Sequence, residues 1–318
     1  MDSNTLWIVF AVVVGVLLVL DLGVLHRRQR EIGATESLVT TGVYMLLAVL
    51  FGGFLWWERG AETALAFYTG YAVEFSLSMD NVFVMALILG MMHIPRTHQH
   101  RVLLYGVLGV IVLRGVMIAL GATLVEQFHW TLYIMAAFLV FTGLQMLRPS
   151  THSNPLSTGS PVLNFCRKHL RVTEELHGKK FFVRLPDKKT GKPALYMTPL
   201  FMALLMVELA DVVFAFDSVP AIFAITTDTY VILTSNIFAI LGLRSLYFAL
   251  SAILQRFAYM KYALAILLVF IGGKVLVFEA LLGSKFPPVL SLVITILILF
   301  SGVGYSWFKT RKGAPKKR

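Results

Sequence analysis

The sequence predicts an all-α membrane protein with about nine transmembrane helices, six of which form an inverted repeat of three helices plus three. Composition is the first reason. Of 318 residues, 58% are hydrophobic and 14% are charged, whereas about a quarter of the residues in a soluble domain are charged. Long apolar runs that recur along the whole chain are the second reason, and paired motifs in its two halves are the third.

The apolar runs are each about 20 residues long, which is the length that an α-helix needs to cross a bilayer. The first run is expected to be an anchor and not a cleavable signal, because an acidic flank precedes it and three arginines follow it without a small-residue cleavage site. The runs lie at 6–25, 38–57, 64–89, 102–124, 130–148, 198–225, 231–254, 261–280 and 286–308.

The distribution of basic residues predicts the orientation of these spans. With the amino terminus outside, the cytoplasmic segments contain 23 Lys and Arg residues and the external loops contain two. Membrane proteins carry such an excess on the cytoplasmic side. We therefore expect an external amino terminus and a cytoplasmic carboxyl terminus, and the net charge of +11 does not require a nucleic-acid partner.

Five regions follow from this topology, and only the middle one is a sizeable soluble segment. In that segment, Ser160-Pro161 begins a predicted short amphipathic helix, and apolar residues on either side of a Lys-Lys-Thr-Gly turn predict a small hairpin. The regions are two amino-terminal helices (1–63), the first repeat (64–148), a cytoplasmic loop (149–197), the second, inverted repeat (198–280), and a ninth helix with a basic tail expected at the anionic inner leaflet (281–318).

Three pairs of motifs relate the two repeats. Leu139-Val-Phe-Thr-Gly matches Leu268-Val-Phe-Ile-Gly at an offset of 129, and Leu113-Arg114 matches Leu243-Arg244 at an offset of 130. The acid pairs Glu74/Asp80 and Asp211/Asp217 match at an offset of 137. Because the third and sixth spans cross in opposite directions, the repeat is inverted. Transporters are built in this way, with the substrate site near the midplane where the halves meet.

The chemistry is concentrated in two acidic stretches inside predicted spans. An acid near the bilayer centre costs roughly 2.5–3.5 kcal/mol on insertion scales, so these acids need partners or a function. Neither stretch contains Cys or His, and carboxylate, amide and hydroxyl oxygens favour a hard divalent cation such as Mn, Mg or Ca over Zn or Cu. The candidate ligands are Glu74, Asp80, Asn81, Glu208, Asp211, Asp217 and Ser218.

Convergence of the acids within one stretch requires an irregular helix. Six residues turn a regular helix by about 600°, so Glu74 and Asp80 point about 120° apart. We therefore expect local unwinding between them if both reach one site. In the second stretch Pro220 predicts a break, because it cannot donate to the carbonyl of Phe216.

Three bases within spans are candidate charge partners of these acids: Arg114, Arg244 and Lys274. Ion pairs that fix the bundle without any substrate are therefore the alternative to a cation site. Lys274 is expected either to act as a tethered cation in the site or to form a structural pair. The loop histidines His93, His98 and His100 are expected to be solvated, with metal binding at the cytoplasmic mouth as the alternative.

Other classes of function find little support in the sequence. There is no nucleophile–base pair and no phosphate-binding loop, so we expect neither an enzyme nor a permanently bound cofactor. The single cysteine, Cys166, excludes disulfide frameworks and cysteine-rich metal sites.

Three longer motifs carry a resemblance to a known family: Tyr68-Thr-Gly-Tyr-Ala-Val-Glu74-Phe-Ser-Leu-Ser-Met-Asp80-Asn81-Val-Phe-Val, Val207-Glu208-Leu-Ala-Asp211-Val-Val-Phe-Ala-Phe-Asp217-Ser218-Val-Pro220-Ala and Thr234-Ser-Asn-Ile-Phe-Ala-Ile-Leu-Gly-Leu-Arg244. The chain resembles the TerC family of integral membrane proteins, and in particular its Alx-type manganese exporters, from Leu6 to about Phe308. The resemblance implies Mn(II) efflux across a bacterial inner membrane and an association with tellurium resistance. It makes the five acids metal-site candidates, with Asn81 and Ser218 as neutral helpers.

The expected function is thus Mn(II) export by alternating access, with proton counter-transport through the same carboxylates. The expected partners are a hard dication and the lipid bilayer. Two alternatives remain open: a non-transporting scaffold of a tellurium-resistance or secretion-associated complex, and an exporter of small cationic organic solutes.

Substitution of either of two acids tests this hypothesis. Asp80→Asn and Asp217→Asn are expected to abolish efflux without unfolding the protein, because each removes one charge from the predicted cation site. The measurement is the manganese tolerance of cells that produce each variant, with the amount of membrane-inserted protein as the control. Full tolerance with both variants would contradict the hypothesis.

Overall fold

A computed structural model of the chain describes residues 3–25, 34–92, 94–128, 130–147, 172–173, 175–186, 193–250, 260–282 and 286–312. The described part is mostly helical. The helices are α1 (Ser3–Leu25), α2 (Ala34–Arg59), α3 (Ala61–Met91), α4 (Arg96–Gln127), α5 (Trp130–Leu147), α6 (Pro199–Phe223), α7 (Thr229–Leu241), α8 (Leu243–Leu250), α9 (Met260–Lys274, continued as a π-helix over Val275–Leu281) and α10 (Pro288–Lys312).

Every predicted span coincides with helical structure in the described part, and the seventh span is divided between α7 and α8 at Gly242. Among the described residues, six helical segments are long and apolar enough to cross a membrane, as expected for an integral membrane protein. They are Thr35–Arg59, Thr97–Gln127, Trp130–Leu147, Pro199–Phe223, Thr229–Ala249 and Pro288–Ser306. The segments Asn4–Val19 and Tyr262–Phe278 are shorter and apolar. That nine helices cross the bilayer stays a prediction.

Local chemistry explains several helix boundaries. Gly60, between α2 and α3, has a φ of 90°, which a residue with a side chain rarely adopts. Asp228 caps α7, since its Oδ1 accepts from the backbone N–H of Tyr230 at 2.9 Å and of Val231 at 3.4 Å. Pro199 lies in the first turn of α6, where its missing N–H costs nothing.

A two-stranded antiparallel sheet lies at the position of the predicted hairpin. Strand β1 (Phe182–Pro186) pairs with β2 (Pro193–Met197), with Arg184 opposite Leu195. The Thr198 hydroxyl donates to the carbonyl of Lys180 at 2.8 Å and so ties this sheet to the start of α6. The predicted amphipathic helix that begins at Ser160 lies outside the described residues.

Helix α3 is central to the bundle, because it packs against α2, α6, α7 and α10. Helix α4 packs against α6 and α7, and α5 packs against α9. In the described part of the chain, three buried apolar clusters fill the spaces between these helices. This arrangement brings the acidic stretch of α3 beside that of α6.

The contact between α5 and α9 is reciprocal. A Cβ on Gly143 would lie 2.7 Å from the carbonyl oxygen of Ala265, and a Cβ on Gly272 would overlap the carbonyl oxygen of Ala136. Gly143 and Gly272 are matched positions of the sequence repeat, as are Ala136 and Ala265. Since the higher-numbered residue of one helix meets the lower-numbered residue of the other, the two helices are antiparallel. Glycine allows this close backbone approach.

The break predicted at Pro220 is wrong, and α3 does not show the unwinding that a common site for Glu74 and Asp80 would require. Helix α3 continues through Glu74 and Asp80, and α6 continues past Pro220 to Phe223. Pro220 lies in the last turn of α6, so its missing N–H removes one hydrogen bond where few remain to be lost. Glu74 and Asp211 therefore project from regular helices.

Substitutions at two adjacent glycines of α9 test the close approach of α5 and α9. Gly272→Ala is expected to destabilise the protein by about 1–3 kcal/mol, because the new methyl group meets a backbone carbonyl that cannot move aside. The matched control is Gly273→Ala, since a Cβ at that position has no neighbour within 4 Å. Thermal unfolding in detergent should show a lower Tm only for the first variant. Equal Tm values would contradict the close contact.

Candidate functional site

A buried polar network lies where α3, α4, α6 and α7 meet. All its side chains are nearly inaccessible, with at most 2% of each residue exposed. Such groups need hydrogen-bond or ionic partners, because burial removes their water. The members are Glu74 and Asn81 on α3, Arg114 on α4, Asp211 and Ser218 on α6, and Asn236 on α7.

Arg114 is the centre of this network. Its Nε donates to Oδ2 of Asp211 at 3.1 Å and its Nη2 donates to Oδ1 at 3.0 Å, which is a bidentate ion pair. Its Nη1 donates to Oε1 of Glu74 and, at 3.1 Å, to Oγ of Ser218. One guanidinium thus joins α4 to both acidic helices.

Two asparagines complete the bonding of the carboxylates. Asn236 Nδ2 donates to Oε2 of Glu74 at 3.0 Å, and Asn81 Nδ2 donates to Oδ1 of Asp211 at 3.2 Å. All four carboxylate oxygens of Glu74 and Asp211 therefore accept a hydrogen bond. Because an ionised carboxylate only accepts, each amide must turn its nitrogen towards the acid. The amide oxygens of both asparagines are buried and have no partner among the described residues.

Helical spacing places a further polar atom on the same side of α3. Glu74, Ser78 and Asn81 are four and three residues apart and so share one face. The Ser78 hydroxyl is buried and has no partner among the described residues. Many helical hydroxyls instead donate to a backbone carbonyl one turn earlier, as Thr69 and Thr234 do at 2.7 Å. The network face of α3 thus contains an unused oxygen.

The charges of the network do not balance. Glu74 and Asp211 contribute two acids and Arg114 contributes one base, so the described ionisable groups carry one surplus negative charge when all are ionised. A buried uncompensated charge is unfavourable. A bound cation or a proton would balance it.

The remaining predicted residues lie partly outside this network. The side chains of Asp80, Asp217 and Arg244 lie outside the described part of the structure, although their backbones are helical. Glu208 is half-buried one turn before Asp211, and its Oε2 is a buried atom without a hydrogen-bond partner among the described residues.

The predicted roles of Lys274 and of a histidine metal site stay untested, but the expectation of solvated loop histidines is wrong for His100, whose two ring nitrogens are buried. Lys274 Nζ donates to Ser291 Oγ on α10 at 3.0 Å, and the base inside the described network is Arg114. His98 Nδ1 lies 3.0 Å from Thr97 Oγ1, and the His100 ring packs edge-on against Phe248. His93 lies outside the described residues.

The described residues include no group of three His, Cys, Asp or Glu side chains that could hold a metal ion. A cation would therefore need the neutral oxygens of the network in addition to Glu74 and Asp211. The metal set predicted from the sequence also includes Asp80 and Asp217, so it stays a prediction.

Asn236 is the residue that sequence reasoning missed. It donates to Glu74 from α7, in the other predicted repeat, and it is fully buried. The available signal was three consecutive polar residues, Thr234-Ser-Asn, inside an otherwise apolar span. Thr234 and Ser235 donate to backbone carbonyls of their own helix, whereas Asn236 reaches another helix.

Comparison with known proteins identifies relatives over nearly the whole chain. A family model described as the integral membrane protein TerC family matches residues 59–314. A protein of Escherichia coli strain K12, whose name describes it as a candidate membrane-bound redox modulator, Alx, is 42% identical over 321 aligned residues, which cover 97% of this chain and 98% of that protein. An uncharacterized membrane protein of Rickettsia felis is 43% identical over 93% of this chain and 95% of its own length. No solved structure matches the chain.

The dependence of the buried acids on Arg114 can be measured. Arg114→Gln is expected to destabilise the protein by about 3–5 kcal/mol, because it leaves two buried carboxylates without their cation. The control is Arg59→Gln, which removes the partly exposed Arg59–Asp228 pair at 3.0 Å and is expected to cost at most about 1 kcal/mol.

The measurement is unfolding in detergent, and the double variant Arg114→Gln/Asp211→Asn is expected to recover part of the loss since it removes a pair of opposite charges. Equal losses for Arg114→Gln and Arg59→Gln would contradict a central role of Arg114.

Proposed function

We propose a transport function for this chain, which belongs to the TerC family of integral membrane proteins. The proposed function is export of a hard divalent cation, Mn(II), across a bacterial inner membrane by alternating access, with counter-transport of protons. The amino terminus would be external and the carboxyl terminus cytoplasmic, as the distribution of basic residues predicts.

The observation that carries this proposal is the combination of surplus negative charge and unused oxygens in one buried network. The unused atoms are Ser78 Oγ, Asn81 Oδ1 and Asn236 Oδ1. Together with carboxylates they form a set of hard oxygen donors, which suits Mn, Mg or Ca. A network that served only to hold the helices together would have no need of unpaired buried acceptors, because each one costs free energy.

The hydrogen bonds of the network suggest how binding alters the protein. Every carboxylate oxygen of Glu74 and Asp211 is already bonded, three of them to Arg114. A dication that binds the three oxygens held by Arg114 would compete with the guanidinium for them. Binding would therefore loosen the link between α3 and α6, and release would restore it. Such an exchange gives a cation a different affinity for two arrangements, as a transport cycle requires.

Alternating access also needs two halves that can move relative to each other. The reciprocal contacts of Gly143 and Gly272 relate α5 and α9 by a local twofold operation perpendicular to the two helices. This symmetry supports an inverted repeat, and the network takes residues from both proposed halves.

Contacts at the two ends of the bundle support the proposed topology. Arg59 at the end of α2 pairs with Asp228 at the start of α7, and both are predicted to be external. The Tyr247 hydroxyl on α8 donates to Gln99 on α4 at 2.9 Å, and both are predicted to lie near the cytoplasm.

The name of the Escherichia coli relative supports a second candidate function, modulation of redox state at the membrane. This chain has one cysteine, so an intrachain disulfide could not serve that role. A redox role would require another electron carrier or a partner protein. The transport assay below separates the two functions, because only the first requires metal flux by the purified protein.

Two serines of α3 provide a matched test of the proposed cation site. The measurement is flux of radiolabelled manganese in liposomes that contain the purified, reconstituted protein. Ser78→Ala removes an unused oxygen on the network face, and we expect a KM for Mn(II) about tenfold higher, the effect of about 1.4 kcal/mol of binding free energy. The control Ser76→Ala removes an equally unpaired buried hydroxyl two residues away, on another face of α3, and is expected to leave KM unchanged. Neither variant leaves a partner unsatisfied, so both should fold.

Absence of manganese flux through the wild-type protein would contradict the proposed function and favour the scaffold or redox alternatives. Inhibition by small organic cations, but not by Mg(II) or Ca(II), would favour the organic-cation alternative. Equal KM values for the two serine variants would remove Ser78 from the site.

A further inference from the structure

Glu208 differs from the other described acids of the two stretches. Glu74 and Asp211 are bonded to Arg114, whereas Glu208 Oε2 is buried and has no hydrogen-bond partner among the described residues. Glu208 lies one helical turn before Asp211 and on the same face of α6. It is therefore next to the network but not bonded to it.

A notch in α4 holds this carboxyl group. The Glu208 side chain lies directly against Gly109, where a Cβ would overlap Oε1 and lie 2.5 Å from Cδ. One turn earlier on α4, a Cβ on Gly106 would make ordinary contacts, 3.5 Å from Val207 and 3.8 Å from Leu204. The space at Gly109 is thus filled specifically by a carboxyl group.

The surrounding charges leave Glu208 without a counter-ion in the described part of the structure. Its acidic neighbour on α6 is Asp211, which repels a second negative charge. Arg114, five residues beyond Gly109 on α4, is engaged by Asp211 and by Glu74 of α3. Arg101, eight residues before Gly109, lies over the Phe181 ring, 5.1 Å from its centre. An acid in an apolar span without a cationic partner is more stable when protonated.

We propose that Glu208, seated against Gly109, binds the proton that is counter-transported, while the Arg114 network binds the metal cation. This inference rests on the proposed export function and adds a division of labour between neighbouring acids. A proton that leaves Glu208 creates a negative charge one turn from Asp211, and a proton that binds removes it. Occupancy of Glu208 would thereby alter the affinity of the network for a dication. Gly109 is a positioning residue, because it provides the space that the carboxyl group occupies.

The first measurement is chemical labelling of purified protein in detergent with dicyclohexylcarbodiimide, an apolar reagent that modifies protonated carboxyl groups. Mass spectrometry is expected to find the adduct at Glu208, and labelling should fall as the pH rises. Glu74 and Asp211 should stay unlabelled, since both are bonded to Arg114. Gly109→Ala should reduce labelling by displacing the carboxyl group, and the matched control Gly106→Ala should not.

The second measurement is manganese flux in liposomes with and without a pH gradient. The wild-type protein and Gly106→Ala are expected to be stimulated by the gradient. Glu208→Gln, which resembles the protonated acid, should lose this stimulation but retain measurable exchange of manganese for manganese. Gly109→Ala should also lose stimulation by the pH gradient. If Gly109→Ala does not fold, Glu208→Gln still tests the inference.

The outcomes separate this inference from the function on which it rests. Absence of flux in the wild-type protein contradicts the export function. Flux through Glu208→Gln with undiminished stimulation by the gradient contradicts the inference alone. If Glu208→Gln lost both the exchange of manganese and the stimulation by the gradient, Glu208 would be a metal ligand. Labelling at Glu74 or Asp211 would place the proton in the network. Both results would overturn the inference.

Discussion

One buried guanidinium is the interaction on which the centre of this protein depends. Two carboxylates from different helices would be intolerable at this depth without it, because burial of each ion costs several kcal/mol. Arg114 offsets that cost by donating to three of the four carboxylate oxygens of Glu74 and Asp211, and Asn236 donates to the fourth. The relative positions of four helices follow from these few directional bonds.

Glycines determine how closely the surrounding helices approach. Lipid is as apolar as a leucine side chain, so helices in a bilayer associate through close packing and polar contacts. Gly143 and Gly272 admit opposing backbone carbonyls between α5 and α9, whereas Gly109 admits a carboxyl group between α4 and α6. The first two glycines support a symmetric pair of helices. The third provides an asymmetric feature next to the buried polar network.

The two stretches do differ, although not as their sequences suggest. Pro220 predicts an irregular second stretch, but α6 passes through it without ending. One difference lies in unused neutral oxygens: α3 presents Ser78 and Asn81 on its network face, whereas the position on α6 that corresponds to Ser78 is Ala215. Among the bases, Lys274 is more conspicuous in the sequence than Arg114, since the counterpart of Lys274 in the other predicted repeat is neutral. The base that the described network contains is Arg114.

Apolar runs were sufficient to predict the helical membrane class and the positions of the described helical segments, and three long motifs indicated the family. These features are local or periodic, so they can be read along the chain. Which acid pairs with which base, the contribution of Asn236 and the notch at Gly109 were decided only by the tertiary structure. The physical reason is that these contacts join residues on separate helices, and their partners depend on how each helix is rotated about its own axis. A helix rotated by one residue position, about 100°, would present a different set of side chains to its neighbours. The hydrophobic pattern of the sequence does not distinguish these two orientations.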